Sequence, residues 1–97
     1  MLRHIVLFQL SPDATDEGID AAVAALSALP EAIAEIRDLH VGRDAEIVEG
    51  NADLGLEVVF DDAAAWRTYQ DHPAHQQVTA QHMRAIVAGR TAVQFTD

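Results

Sequence analysis

A β-strand that is apolar on both faces has to be covered twice, and this chain contains two such strands. Residues 2 to 10, Leu-Arg-His-Ile-Val-Leu-Phe-Gln-Leu, are rich in β-branched and aromatic types and stop at the turn cluster Ser11-Pro12-Asp13. Successive side chains of a strand point to opposite faces. One face here carries Leu2, His4, Val6, Phe8 and Leu10, while the other carries Ile5 and Leu7. Leu54 to Phe60 repeats the pattern, with Leu54, Leu56, Val58 and Phe60 set against Val59. A sheet with helices on one side and water on the other alternates apolar and polar residues, so a second apolar face needs a second cover.

The helices supply only one cover. After Thr15 or Asp16, either a good N-cap, apolar residues fall at Ile19, Ala22, Val23, Leu26 and Leu29, a helical stripe that Pro30 is expected to close. Glu35 to Arg43 alternates around Leu39 and Val41 and reads as strand two, with Glu46 to Glu49 a candidate extension of its edge. Asp61 and Asp62 cap a helix over Ala63 to Asp71 that carries Trp66 and Tyr69 on one face. Pro73 opens a further helix running to about Val87, striped by His75, Val78, His82, Ala85 and Ile86 and ended by Ala88-Gly89. Residues 90 to 96 make strand four.

The order β, α, β, β, split α, β is ferredoxin-like: one α+β domain over residues 1–97, a four-stranded antiparallel sheet with helices on one face. A domain this small hides only about 60 to 65% of its extended-chain surface. The simplest second cover is another copy across a twofold axis, which predicts a homodimer through the sheet face. The His4, Val6, Phe8 face is assigned to the space between the two sheets.

Sixteen Asp and Glu against six Lys and Arg give a net charge of −10. That repels phosphate backbones and anionic lipid, which argues against nucleic acid or a membrane as partner. With no cysteine, disulfides, thiolate metal sites and a Cys nucleophile are excluded. The apolar run Ile5 to Phe8 is too short for a signal-peptide core, so a cytoplasmic location is expected.

Five histidines are the natural groups for acid and base work near neutral pH. His4 sits on an apolar face, where it is either a hydrogen-bonded structural residue or part of a pocket. The densest cluster is Tyr69-Gln70-Asp71-His72-Pro73-Ala74-His75. Pro73 separates two helices, so Tyr69 and His75 can converge over the end of the sheet. In the plain structural alternative Tyr69 packs beside Trp66, and Asp71 and His72 only cap. A metal site on His72 and His75 lacks further ligands, since His82 stands two helical turns from His75, about 10 Å away; no metal and no cofactor are expected. No Gly-rich phosphate loop, G-x-S-x-G elbow or H-E-x-x-H motif occurs.

The opening Met-Leu-Arg-His-Ile-Val-Leu-Phe, the segment Leu39-His40-Val41-Gly42-Arg43-Asp44, and Phe60 through Tyr69 to His72-Pro73-Ala74-His75 resemble the stress-responsive A/B barrel (Dabb) family nearly end to end. The resemblance implies a dimer in which two four-stranded sheets face one another, with helices outside and a cavity between sheet and helices. Many members have no assigned activity. One plant member closes a linear tetraketide thioester by aldol condensation without cofactor. Its strand-one histidine matches His4, its tyrosine Tyr69 and its helix histidine His75, with His72-Pro73 in the same register. A further histidine of that cyclase is Leu54 here, and the aromatic at the position of His82 also differs.

The resemblance thus implies a cofactor-independent enzyme acting on an apolar carbonyl compound. His75 would be the general base, Tyr69 would orient it or stabilise an enolate, and His4 would hold the substrate. Val6, Phe8, Leu54, Leu56, Val58, Trp66 and His72 would contact the ligand. The alternative is a non-catalytic stress-response or ligand-binding protein, favoured if the cavity falls well under about 300 Å³. Haem binding through His75 or His82 ranks last, because related barrels share the fold and not the motif.

Overall fold

Four antiparallel strands, β1 (Leu2–Leu10), β2 (Asp38–Arg43), β3 (Leu54–Phe60) and β4 (Val87–Thr96), form one sheet of order β2-β3-β1-β4 in the computed structural model, which describes residues 1–97. This is the ferredoxin-like α+β topology expected from the element order. The two strands with two apolar faces, β1 and β3, lie side by side at its centre. Register sets His4 opposite Val58 and Gln94, Val6 opposite Leu56 and Ala92, and Phe8 opposite Leu54 and Arg90.

All helices lie on the face that carries His4, Val6 and Phe8, where these three side chains are buried with Leu54, Leu56, Val58 and Phe60. That overturns the assignment of this face to the space between sheets. Both faces of β1 are apolar, so alternation alone does not say which one the helices take. The face left open carries Ile5 and Leu7 with Val93 and Phe95 of β4; Leu7, Val93 and Phe95 are 45, 53 and 42% exposed.

Helix α1 (Asp16–Ser27) begins where the Thr15 hydroxyl accepts from the Gly18 amide at 3.0 Å, with Asp16 and Glu17 favourably placed in its first turn. A side chain at Gly18 would crowd this hydroxyl, at 3.2 Å, while meeting Ile86 in ordinary contact at 3.7 Å. Pro30 does not close the helix as expected. It lies inside a separate turn, α2 (Leu29–Ala32), because a proline has no amide hydrogen to continue α1 but suits the first turn of a new helix. The restart turns Leu29, Ile33 and Ile36 into the core, and β2 begins only at Asp38, not at Glu35.

The segment 46–49 is not a strand edge. Glu46 (φ 59°) and Gly50 (φ 87°) reverse the chain, leaving Ile47 and Val48 in solvent. Helix α3 (Ala63–Asp71) is capped by the Asp62 carboxylate, which accepts from the Ala65 amide at 2.9 Å. Beyond it α4 (Pro73–Val78) passes through a π-helical turn, Thr79–Met83, into α5 (Arg84–Ile86).

In the π turn the Arg84 amide reaches back five residues to the Thr79 carbonyl, and the extra residue rotates everything after it. Met83 and Ile86 therefore face the core, Ala85 faces solvent, and the expected stripe through His82 and Ala85 does not form. Val87 to Gly89 extend β4 against Gln9 and Leu10 instead of ending a helix, so that strand starts three residues earlier than expected, at Val87 and not residue 90. No helix is long and apolar enough to cross a membrane.

Candidate ligand cavity

Between the sheet and the segment α3–α5 lies a cavity of about 400 Å³ lined by 13 residues. Val6 and Phe8 from β1, Leu56 from β3, Leu26 from α1 and Met83 from the π turn make an apolar floor. His4, Tyr69, Gln70, His75 and Thr79 bring polar atoms to it, and Arg84, Val87 and Arg90 complete the lining.

The three residues proposed to act on a ligand thus border one space. The Tyr69 and His75 rings are 4.3 Å apart between centroids, and the His4 ring lies 6.1 Å from that of Tyr69. Phe60 supports Tyr69 from beneath at 5.1 Å. The 60–75 segment folds this way because Asp62 starts α3 and Pro73 makes the chain turn after His72, whose own Nδ1 accepts from the Ala74 amide at 3.0 Å.

The two histidines are held in opposite senses. The Gln94 amide donates to His4 Nδ1 at 2.9 Å, so the neutral His4 ring carries its proton on Nε2. His75 Nδ1 lies 3.3 Å from the Gln70 carbonyl, which only accepts, so the neutral His75 ring keeps its proton on Nδ1 and leaves Nε2 with a free lone pair. One imidazole thus presents a donor and the other an acceptor.

Burial keeps both uncharged. It pushes the His4 pKa from 6.5 down to about 4, aided by the charges of Arg90 and His75. Burial also lowers that of His75; the bond to Gln70 opposes this, and Arg90 adds to it. The Tyr69 phenol is pushed up to about 12 by burial, against the pull of Arg90, and stays a proton donor at neutral pH.

Of the residues expected to contact a ligand, Val6, Phe8 and Leu56 line the cavity and four do not. Val58 is sealed in the core, and Leu54 borders a different hollow with Leu7, Gly42 and Arg43. His72 is used as the cap of α4. Trp66 stands 6.0 Å from the His4 ring but outside the lining, and its indole Nε1 is buried without a hydrogen-bond partner. No group of three or more His, Asp or Glu is placed to hold a metal ion.

Residues that the sequence reading missed are Gln70, Thr79, Met83, Arg84, Arg90 and Gln94. Gln94 reaches His4 only through the β1–β4 register, a pairing across 90 positions that no local pattern reveals. The arginines did leave a signal. None of the 16 acidic residues falls in the stretch from His72 to Thr96, which holds Arg84 and Arg90.

The family described as Stress Responsive A/B Barrel Domain matches residues 2–97. A search of curated proteins found no match. Among solved structures, a dimeric ferredoxin-like protein of unknown function from Thermobifida fusca is 35% identical, with a TM-score of 0.91 over 99% of this chain and 90% of that one. A dimeric protein of unknown function and ferredoxin-like fold from Bacteroides fragilis is 26% identical, with a TM-score of 0.87 over 99 and 95% of the two chains. The hydroxynitrile lyase from Passiflora edulis shares the fold at 16% identity, with a TM-score of 0.84 over 97 and 90%.

Proposed function

The chain belongs to the stress responsive A/B barrel family, and from that premise we propose that it is a homodimer whose protomers each bind a small apolar carbonyl compound and move a proton on it without a cofactor. The observation that carries this reading is the pair of neutral histidines facing one cavity with opposite hydrogen-bonding sense.

In the proposed reaction His75 Nε2 takes a proton from the carbon next to the ligand carbonyl. The C–H electrons move into an enolate, whose oxygen accepts hydrogen bonds from the Tyr69 hydroxyl and from His4 Nε2–H. The enolate carbon then attacks a second carbonyl of the same molecule and forms a carbon–carbon bond. The proton on His75 passes to the new alkoxide, so the sum is an aldol closure with nothing gained or lost. A cavity of about 400 Å³ lies in the range of small-molecule sites. The Passiflora edulis protein's name puts a lyase on the same fold.

The dimer is proposed to form through the open sheet face. Relatives of this fold are described as dimeric, and Leu7, Val93 and Phe95 would otherwise leave an apolar surface in water.

The test is incubation with polyketide-type thioesters, comparing the natural protein with Tyr69→Phe and His75→Ala. Product formation should fall roughly 10²- to 10⁴-fold in His75→Ala, the usual scale for a lost general base. The rate should also fall in acid as His75 becomes protonated, below the ordinary histidine range. Equal product from all three proteins would sink the catalytic assignment and leave a ligand-binding protein.

A further inference from the structure

Six arginines and no lysine supply every permanent side-chain cation of this acidic chain. Three are engaged: Arg3 with Glu57 and Asp97, Arg37 with Asp61, and Arg43 with Asp16. That leaves Arg67, Arg84 and Arg90 without a carboxylate partner, and two of these three line the same cavity. No Asp or Glu lines it, although acids outnumber arginines 16 to 6 in the chain. The acid-free stretch from His72 to Thr96 makes the helical wall and the β4 edge of the cavity without a single negative side chain.

The two arginines are placed by separate devices. Arg90 stands on β4 opposite Phe8, so its strand register aims it to the helix side of the sheet. Arg84 follows directly on the π turn, whose extra residue rotates it to the cavity while Met83 enters the core. The charge of Arg90 is felt at His4, Tyr69 and His75 alike, so its field reaches across the cavity and not only into solvent. Both arginines are exposed, and a guanidinium fork suits a planar two-oxygen anion.

We propose that the ligand of this cavity is an amphipathic carboxylate, its apolar body on Val6, Phe8 and Leu56 and its carboxylate held by Arg84 and Arg90. The inference rests on the reading of the cavity as a small-molecule site and adds the class of molecule it takes. It also gives the ligand a direction. The anionic end stays with the arginines, and the uncharged remainder lies toward His4, Tyr69 and His75, where burial disfavours charge.

Trp66 is the only tryptophan and lies beside His4, so its fluorescence can report occupancy. The experiment titrates the natural protein, Arg84→Gln, Arg90→Gln and the double variant with octanoate, methyl octanoate and octyl phosphate, supported by calorimetry and repeated at high salt. Octanoate should bind roughly tenfold more tightly than its ester, the scale of two partly exposed charge contacts. The double variant should erase that preference, bringing octanoate down to the affinity of its ester, and high salt should shrink it. An ester that binds the natural protein as tightly as the acid overturns the anionic anchor and leaves the cavity reading standing. Tighter binding of octyl phosphate overturns the choice of a carboxylate. Failure of all three to bind overturns both the anchor and the cavity reading.

Discussion

Ile5 and Leu7 share a strand with His4, Val6 and Phe8, yet the two sets meet opposite ends. The second set is closed over by helices of the same chain, and the closure leaves a cavity that withdraws the His4 imidazole and the Tyr69 phenol from water and half-buries His75. The first set lies bare beside Val93 and Phe95. Both faces are apolar in the sequence, so hydrophobicity is not what separates them. The covered face holds His4 and His75 through their Nδ1 atoms and shifts their ionisation by burial. The open face offers apolar area and the outward charges of Arg3 and Glu57, which pair with each other at 3.5 Å. On the proposed reading the covered face takes a ligand and the open face a partner.

The most forceful way to break this contrast is to put a charge on the open face. Val93→Asp places a carboxylate on the exposed side of an edge strand, where a monomer tolerates it in water. In a twofold dimer it would place two such charges in the interface, each costing several kcal/mol of desolvation. The dimer should loosen by on the order of 10³-fold or more. Sedimentation should show a monomer at micromolar concentration, with circular dichroism unchanged. A variant that remained as tightly dimeric as the natural protein would move the interface away from this face.

The existence of two apolar faces, the four strands and the cluster from Tyr69 to His75 all follow from short-range alternation and from the capping residues Thr15, Asp62 and Pro73. The choice of face does not. It depends on which side of the sheet the crossovers pass, and the strand pattern around His4 is silent on that. The same limit hid Gln94, whose partner is 90 positions away. Ile33 and Ile36 were hidden differently: four and seven residues from Leu29, they continue its helical spacing past Pro30, where the helix is expected to close. The π turn cost the most, because every stripe drawn past Thr79 assumed 3.6 residues per turn. Arg84 and Arg90 were legible in a different way, through the absence of acids around them.

A smaller effect sharpens the comparison from the covered side. An unfolded chain takes up a proton on His4 near pH 6.5, whereas the folded chain resists until about pH 4. Between those values the unfolded state binds more protons. Stability held above pH 6.5 is therefore lost as the pH falls through the interval, by on the order of 3 kcal/mol if His4 acted alone. His75 shifts in the same direction and adds to the loss. Asp61 and Asp97, lowered by Arg37 and Arg3, contribute only below 3.8, beneath this window. Denaturant titrations of His4→Asn at pH 7 and pH 4.5 should show a markedly shallower loss than the natural protein. Parallel loss in the two proteins would mean that this face does not desolvate the imidazole.

The smallest effect concerns the one fully buried side-chain polar atom that has no partner. Trp66 Nε1 is buried and unbonded, and a buried donor left unsatisfied costs about 1 to 3 kcal/mol. Trp66→Phe removes that donor together with part of the apolar area of the ring, and the two changes oppose each other. Unfolding stability should shift by no more than about 1 kcal/mol, toward stabilisation. A Phe95→Leu change on the open face removes area without relieving any polar group, so in the monomer it carries no such compensation. If Trp66→Phe destabilised the protein by more than about 2 kcal/mol, the indole N–H would have to be hydrogen-bonded in solution. Water would then reach deeper under the helices than burial of His4 allows, and the two faces would differ less than their geometry says.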